Sequence, residues 1–150
     1  MLKKLNHIAI VVPDIYKAKK IYETKFNANV SRPKNFKEHG VTVVFVELKN
    51  TKIELMQPYG KNSPIQKFLD KNPDGGMHHI CIEVSDIDKS LEELNKNKVT
   101  ILGTGKPVKG SHNKKFIDVL LKEKINAFTR KFFKKSLDMK PIIEIHIIKI

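Results

Sequence analysis

Cysteine is almost absent from this chain, and no apolar run is long enough to cross a bilayer. The one cysteine, Cys81, excludes an intrachain disulfide, which agrees with a reducing compartment. No stretch approaches the ~20 apolar residues of a transmembrane helix. The opening Met1–Lys4 leads straight into a predicted strand, without the pattern of a secretory or mitochondrial leader. We therefore expect a soluble cytoplasmic protein that binds no membrane.

Acidic residues are also scarce, with 16 Asp and Glu against 29 Lys and Arg, for a net charge of +13. The tail from 106 to 150 holds 12 of the basic and 4 of the acidic residues, which leaves 17 and 12 in residues 1–105. Such a surface attracts anions or nucleic acid. Because the aromatic residues are not interleaved with the lysines as stacking platforms, we interpret the charge as a solvated face and expect no nucleic-acid partner.

An internal repeat organises the first two thirds of the chain. The segment LNHIAIVVPDIYKA at Leu5–Ala18 matches MHHICIEVSDIDKS at Met77–Ser90 after a shift of 72 residues, with seven identities in fourteen positions. The identities include a histidine, His7 and His79, and an aspartate, Asp14 and Asp86. We interpret the two segments as duplicated copies of one module.

Each copy changes its hydrophobic period at the same place. Alternating apolar residues before the aspartate predict a strand, and the aspartate is positioned to cap the helix that follows. The predicted helices are Ile15–Phe26 and Ile87–Lys96.

Further elements complete the first copy. Two apolar runs within Val41–Pro58 flank Asn50 and predict a hairpin. A middle strand is expected near Asn29–Ser31, and a linker rich in Pro, Gly and Asn contains a short predicted helix at Pro64–Leu69. We predict one α+β domain of paired βαβββ modules, with module one at 5–58, a linker at 59–76 and module two at 77–150.

The two histidines point to a metal site. Side chains alternate along a strand, so His7 and His79 lie on the face opposite the aliphatic residues that should meet the helix. A lone strand histidine is usually a packed residue, but two at equivalent positions favour a shared divalent ion, with Glu54 of the hairpin as third ligand. His78 faces away and is interpreted as a packing residue, or as a residue that supports the ligands, and not as a ligand. Cys81 is interpreted as a small core residue.

Paired βαβββ modules with one metal ligand in the first strand of each copy resemble the vicinal oxygen chelate superfamily. The segments LNHIAIVVPDI, HGVTVVFVELKNTKIELMQPYGKNSPIQKFLDKN and GGMHHICIEVSDID are similar to methylmalonyl-CoA epimerases, over about residues 5–113. The resemblance implies the glyoxalase fold, a homodimer, and a divalent ion on His7, Glu54 and His79. Cobalt is the ion that the family most often uses, with manganese, zinc and nickel as alternatives.

The resemblance also implies an activity, the interconversion of (2R)- and (2S)-methylmalonyl-CoA. The C2 proton would leave and return through a metal-stabilised enolate, which needs two acid–base groups. The family has one of these in the hairpin, at the position of Val43 here, where Glu47 on the same strand face is the candidate substitute. The other is a glutamate of the last strand, for which Glu144 is the candidate, and Glu83 is a further candidate.

The chain departs from the family after about residue 113. The segment FIDVLLKEKINAFTRKFFKKSLDMK reads as a basic amphipathic helix where the family has a closing hairpin. The family's fourth ligand would fall on Arg130, and the repeat partner of Glu54 on Asn126. The segment Pro141–Ile150 alternates as a strand and offers Glu144 as fourth ligand. An inserted helix or an altered reading frame would explain the departure, and a missing hairpin would leave one flank of the sheet open.

Two other functions stay open from the sequence. A non-catalytic or decayed ligand-binding protein of the same fold would explain the unusual tail. Another metalloenzyme of the superfamily, of dioxygenase or glyoxalase type, could use two histidines and one carboxylate as its ligands.

Overall fold

The structure is a computed structural model, and it describes residues 2–109, 115–120 and 144–149. The chain divides into two compact units, Asn6–His78 and His79–Ile150, the latter together with Met1–Leu5. The elements in chain order are β1 (Leu2–Val11), α1 (Ile15–Phe26), β2 (Lys34–Phe36), a 3₁₀ helix (Lys37–His39), β3 (Val41–Glu47), β4 (Lys52–Pro58), α2 (Gln66–Lys71), β5 (Gly76–Val84), α3 (Ile87–Lys96), β6 (Thr100–Ile101), β7 (Val108–Lys109), β8 (Lys115–Leu120) and β9 (Glu144–Lys149).

The first unit is a four-stranded sheet in the order β2-β3-β4-β1. Strands β3 and β4 form the antiparallel hairpin, and β4 pairs with β1 in parallel. Helix α1 packs on one face, where Ile15 meets Val44, Val46 and Leu55. The opposite face carries a second apolar cluster, which includes Ala9 and receives side chains from α2. The sheet is therefore covered by apolar side chains on both faces.

The second unit repeats this strand order as β5-β9-β8-β6, with β7 paired to β8. Strand β9 is parallel to β5 and antiparallel to β8, as β4 is to β1 and β3. Helix α3 buries Ile87 and Leu94 against a cluster that includes Ile117 and Val119 of β8. The predicted α+β fold of paired βαβββ modules is confirmed.

The repeated aspartates cap the helices as the sequence predicts. Asp14 Oδ1 accepts a hydrogen bond from the Lys17 N–H at 2.9 Å, and Asp86 Oδ1 accepts from two N–H groups of α3, each at 3.1 Å. Both helices have the predicted bounds, because the cap and the change of period mark the same residue in each copy.

The predicted strand at Asn29–Ser31 is wrong. That segment makes an isolated bridge between Val30 and Val46, and the edge strand β2 comes later, at Lys34–Phe36. Three extended residues at an edge carry too little periodicity for a sequence pattern to locate them. The linker helix begins two residues later than predicted, at Gln66.

The helix predicted in the tail is wrong over its first residues, because residues 115–120 form strand β8. The rest of that segment, with Asn126 and Arg130, lies outside the described residues. The strand predicted within Pro141–Ile150 is confirmed as β9. Since β8 and β9 pair antiparallel over five residues from Phe116 to Leu120, the closing pair of strands is present and that flank of the sheet is not open.

No helix in the described part of the chain has the length and apolar character that a bilayer crossing requires.

Gly75, just before β5, should be essential for stability. Its φ is +84°, and a Cβ there would lie 2.3 Å from the Val11 carbonyl oxygen. Gly60 has a similar φ of +78° but open space around it. We expect Gly60→Ala to lower the free energy of unfolding by about 1 kcal/mol, from backbone strain alone, and Gly75→Ala by about 3 kcal/mol, from strain and overlap together. Urea denaturation measures both, and equal losses would show that the overlap relaxes freely.

Candidate metal centre

His7 and Glu54 meet on one face of the first unit. The parallel register places Ala9 beside Glu54, and His7 is two residues before Ala9 on the same strand face. His7 Nε2 lies 3.1 Å from Glu54 Oε2. Both residues are buried, with 8% and 5% of their surface exposed. Two groups that bind divalent cations are thus brought together out of solvent.

The surroundings make this contact energetically important. Buried residues of the apolar cluster, among them Ala9 and Met56, belong to the strands that carry His7 and Glu54. A carboxylate buried in such surroundings is costly unless a cationic or hydrogen-bonding partner compensates. A cation bound to both Glu54 and His7 would be such a partner.

Asn6 orients the His7 ring, a role that the sequence pattern did not reveal. His7 Nδ1 lies 2.8 Å from Asn6 Oδ1, so an N–H at Nδ1 donates to the amide oxygen. This leaves the Nε2 lone pair on the side of Glu54. Asn6 is itself held to the hairpin, because Thr51 Oγ1 donates to its backbone carbonyl at 3.1 Å. Metal-binding histidines usually have such a partner on the second ring nitrogen.

Each of the three predicted metal ligands is buried within its own unit. His79 is a buried residue of β5 in the second unit, with 5% exposure. In the first unit, His7 Nε2 and Glu54 Oε2 already have the separation of two atoms that share one ion, since ligand atoms about 2.1 Å from a common ion lie about 3–4 Å apart.

The backbone of β9 places Glu144 directly beside His79. In the parallel register of β5 and β9, His79 pairs with Glu144 and Cys81 pairs with His146. In the first unit, His7 pairs with Lys52 and Ala9 with Glu54. By register, Glu144 therefore corresponds to Lys52, and the position that corresponds to Glu54 is His146.

The candidate bases lie in different environments. Glu47 is an exposed residue at the end of β3, paired with Lys52, whereas Val43 is buried. Glu83 is a buried residue of β5, and its Oε2 lies 3.6 Å from Lys4 Nζ. Of these two carboxylates, Glu47 is exposed to solvent and Glu83 is not.

The two residues interpreted as packing residues have that role. The His78 ring lies edge-on to Phe68, with ring centres 5.1 Å apart. Cys81 is buried with 1% exposure.

A surface cavity of about 590 Å³ opens at the end of the hairpin in the first unit, and the sequence pattern gave no sign of it. Its lining includes Lys37 and His39 of the 3₁₀ helix and Tyr59 and Lys61 after β4. The Tyr59 N–H donates to the Gly40 carbonyl at 2.8 Å, which fixes the two sides of the cavity to each other.

The family follows from the sequence match. Residues 6–117 match the family described as the Glyoxalase/Bleomycin resistance protein/Dioxygenase superfamily. The chain belongs to this superfamily. The resemblance inferred from the repeat and its histidines is thereby confirmed.

Within the superfamily, the chain is similar to epimerases that act on CoA thioesters. It is 48% identical to the ethylmalonyl-CoA/methylmalonyl-CoA epimerase of Cereibacter sphaeroides over 114 residues, which are 76% of this chain and 85% of that protein. It is also 48% identical to the mitochondrial methylmalonyl-CoA epimerase of Dictyostelium discoideum over 125 residues, which are 79% of this chain and 75% of that protein.

Solved structures support the fold of this superfamily member. The methylmalonyl-CoA epimerase of Mycobacterium tuberculosis superposes with a TM-score of 0.76 at 20% identity, covering 99% of this chain and 88% of that one. A methylmalonyl-CoA epimerase in complex with methylmalonyl-CoA and NH4+ has the same TM-score at 19% identity, covering 99% and 95%. At these identities the matches show a shared fold.

Replacing Asn6 tests how the His7 ring is oriented. We expect Asn6→Ala to weaken Co²⁺ binding by about 10- to 100-fold, because the ring loses the partner that fixes its tautomer. Asn6→Asp, which keeps an acceptor oxygen, should retain most of the affinity. Titration of the metal-free protein, followed by the visible absorption of Co²⁺, gives the dissociation constants, and Asn50→Ala in the exposed turn is the control. Equal affinity for the alanine variant and wild type would contradict this role.

Proposed function

We propose that this protein is a metal-dependent methylmalonyl-CoA epimerase. The proposal is carried by the buried contact between His7 and Glu54, with a second buried histidine, His79, at the equivalent position of the repeat. The chain that holds them is 48% identical to epimerases of this substrate. Burial and ligand type suit a divalent ion. Two imidazoles and carboxylate oxygens accept cobalt, and also manganese, zinc or nickel, and cobalt is the ion that we propose.

The substrate explains why such a site would be needed. The C2 proton of methylmalonyl-CoA lies between a thioester carbonyl and a carboxylate, and its removal places negative charge on the carbonyl oxygen. A divalent cation on His7, Glu54 and His79 would supply positive charge beside that oxygen. The protein would contribute the fixed ligands, the orientation of His7 by Asn6, and the acid–base groups.

Epimerisation requires proton transfer on both faces of C2, and we propose Glu47 and Glu144 for these steps. Glu47 lies on the strand face of Glu54, because it pairs with Lys52, two residues away from Glu54. Glu144 of β9 pairs with His79 of β5. A carboxylate in each module would place one base on each side of the planar enolate.

Deuterium wash-in at C2 tests both the activity and the bases. In D₂O with Co²⁺ present, the wild type should exchange the C2 proton of both epimers. Glu47→Gln and Glu144→Gln should each slow epimerisation by about 10²- to 10⁴-fold while retaining exchange from one epimer, since one base still acts. Glu92→Gln, at an exposed position of α3, is the control. Wild-type protein without exchange above background would exclude the proposed activity.

The fourth ligand can be tested apart from catalysis. We propose Glu144, since it lies beside His79 in the register. Glu144→Ala should then weaken Co²⁺ binding by about 10-fold or more, by loss of one charged ligand. His146→Ala, two residues along the same strand, is the matched control. If His146→Ala loses the metal and Glu144→Ala retains it, the ligand is at the register position that corresponds to Glu54.

The alternative of a decayed protein loses its main support. The closing pair of strands is present as β8 and β9, of which the sequence predicted only β9. The dioxygenase alternative rests on the same three ligands, and oxygen consumption with Fe²⁺ would favour it. A homodimer and a cytoplasmic location stay predictions from the sequence and the resemblance, and sedimentation velocity tests the first.

A further inference from the structure

We propose that the cavity at the end of the hairpin binds the phosphate groups of the CoA thioester. This inference rests on the proposed function for its ligand but on separate residues for its evidence. The cavity has about 590 Å³, and its lining includes Lys37, His39, Tyr59 and Lys61. Cationic and hydrogen-bonding side chains around an open cavity are the chemistry that recognises a phosphate.

The charge of the lining favours an anion. Lys37 and Lys61 are exposed lysines from the two sides of the cavity, before β3 and after β4. The one carboxylate in the lining, Glu38, has its Oε1 4.0 Å from His39 Nε2. The lining therefore has two ammonium groups against one carboxylate, a positive balance that favours an anion.

The position along β4 suits a long substrate. Glu54 and Tyr59 are five residues apart on and just after one strand, which corresponds to about 16 Å at ~3.3 Å per residue. A CoA thioester carries its phosphates at the far end of an extended pantetheine arm, well away from the reacting carbon. Strand β4 would therefore carry a metal ligand, Glu54, within it, and the phosphate site would begin just after its end, at Tyr59.

Charge reversal with two substrates tests the site. Lys61→Glu and Lys37→Glu should each lower kcat/KM for methylmalonyl-CoA by about tenfold or more, mainly through KM, and the loss should shrink at high salt. Neither should change kcat/KM for methylmalonyl-pantetheine, which lacks these phosphates. Lys20→Glu, at an exposed position of α1, makes the same charge change elsewhere and should have little effect. Equal losses with both substrates, or an equal loss for Lys20→Glu, would overturn the site.

Calorimetry with coenzyme A also separates this inference from the proposed function. If the wild type binds coenzyme A through Lys61 but epimerises neither thioester, the cavity assignment holds and the activity fails. If both thioesters are epimerised and Lys61→Glu binds coenzyme A as the wild type does, the activity holds and the cavity assignment fails. Inorganic phosphate that binds as tightly as coenzyme A would show a site for a free anion and would overturn the CoA assignment.

Discussion

The contact between His7 and Glu54 depends on the parallel register of β1 and β4, and most of the first unit serves to hold that register. A slip of one residue would move Glu54 to the opposite strand face, against α1, where a buried carboxylate would have no imidazole beside it. The apolar side chains on the two sheet faces exclude such a slip, because Leu55 and Met56 would exchange environments. Packing of ordinary aliphatic residues thus fixes the position of the metal-ligand candidates.

The elements that the sequence predicted well are those with two independent local signals. Helices α1 and α3 each have a capping aspartate and a change of period at the same residue, so their bounds could be read from the sequence. His7, Glu54 and His79 could be proposed for a similar reason, since the repeat and strand alternation both selected the histidines. Glu54 was selected from its place in the hairpin, and the resemblance to a known family agreed with that choice.

The missed features depend on distant pairing or on side-chain geometry. Strand β8 was interpreted as the start of a helix, because residues 116–120 contain few polar residues to mark alternation, and its strand character comes from pairing with β9. Asn6 was not identified, because its contact with His7 depends on rotamers. The cavity was missed because its lining comes from separate loops that only the hairpin brings together.

The separation of His7 and Glu54 along the chain, 47 residues, has a consequence for the order of folding. Helix α1 and the β3–β4 hairpin are local structures that can form early, whereas the β1–β4 pairing must close a long loop and is expected to form late. A cation that needs both residues therefore has no complete site in partly folded chains. Metal binding would stabilise only the fully paired sheet. Metal supply during synthesis would therefore affect the fraction of molecules that reach the native state.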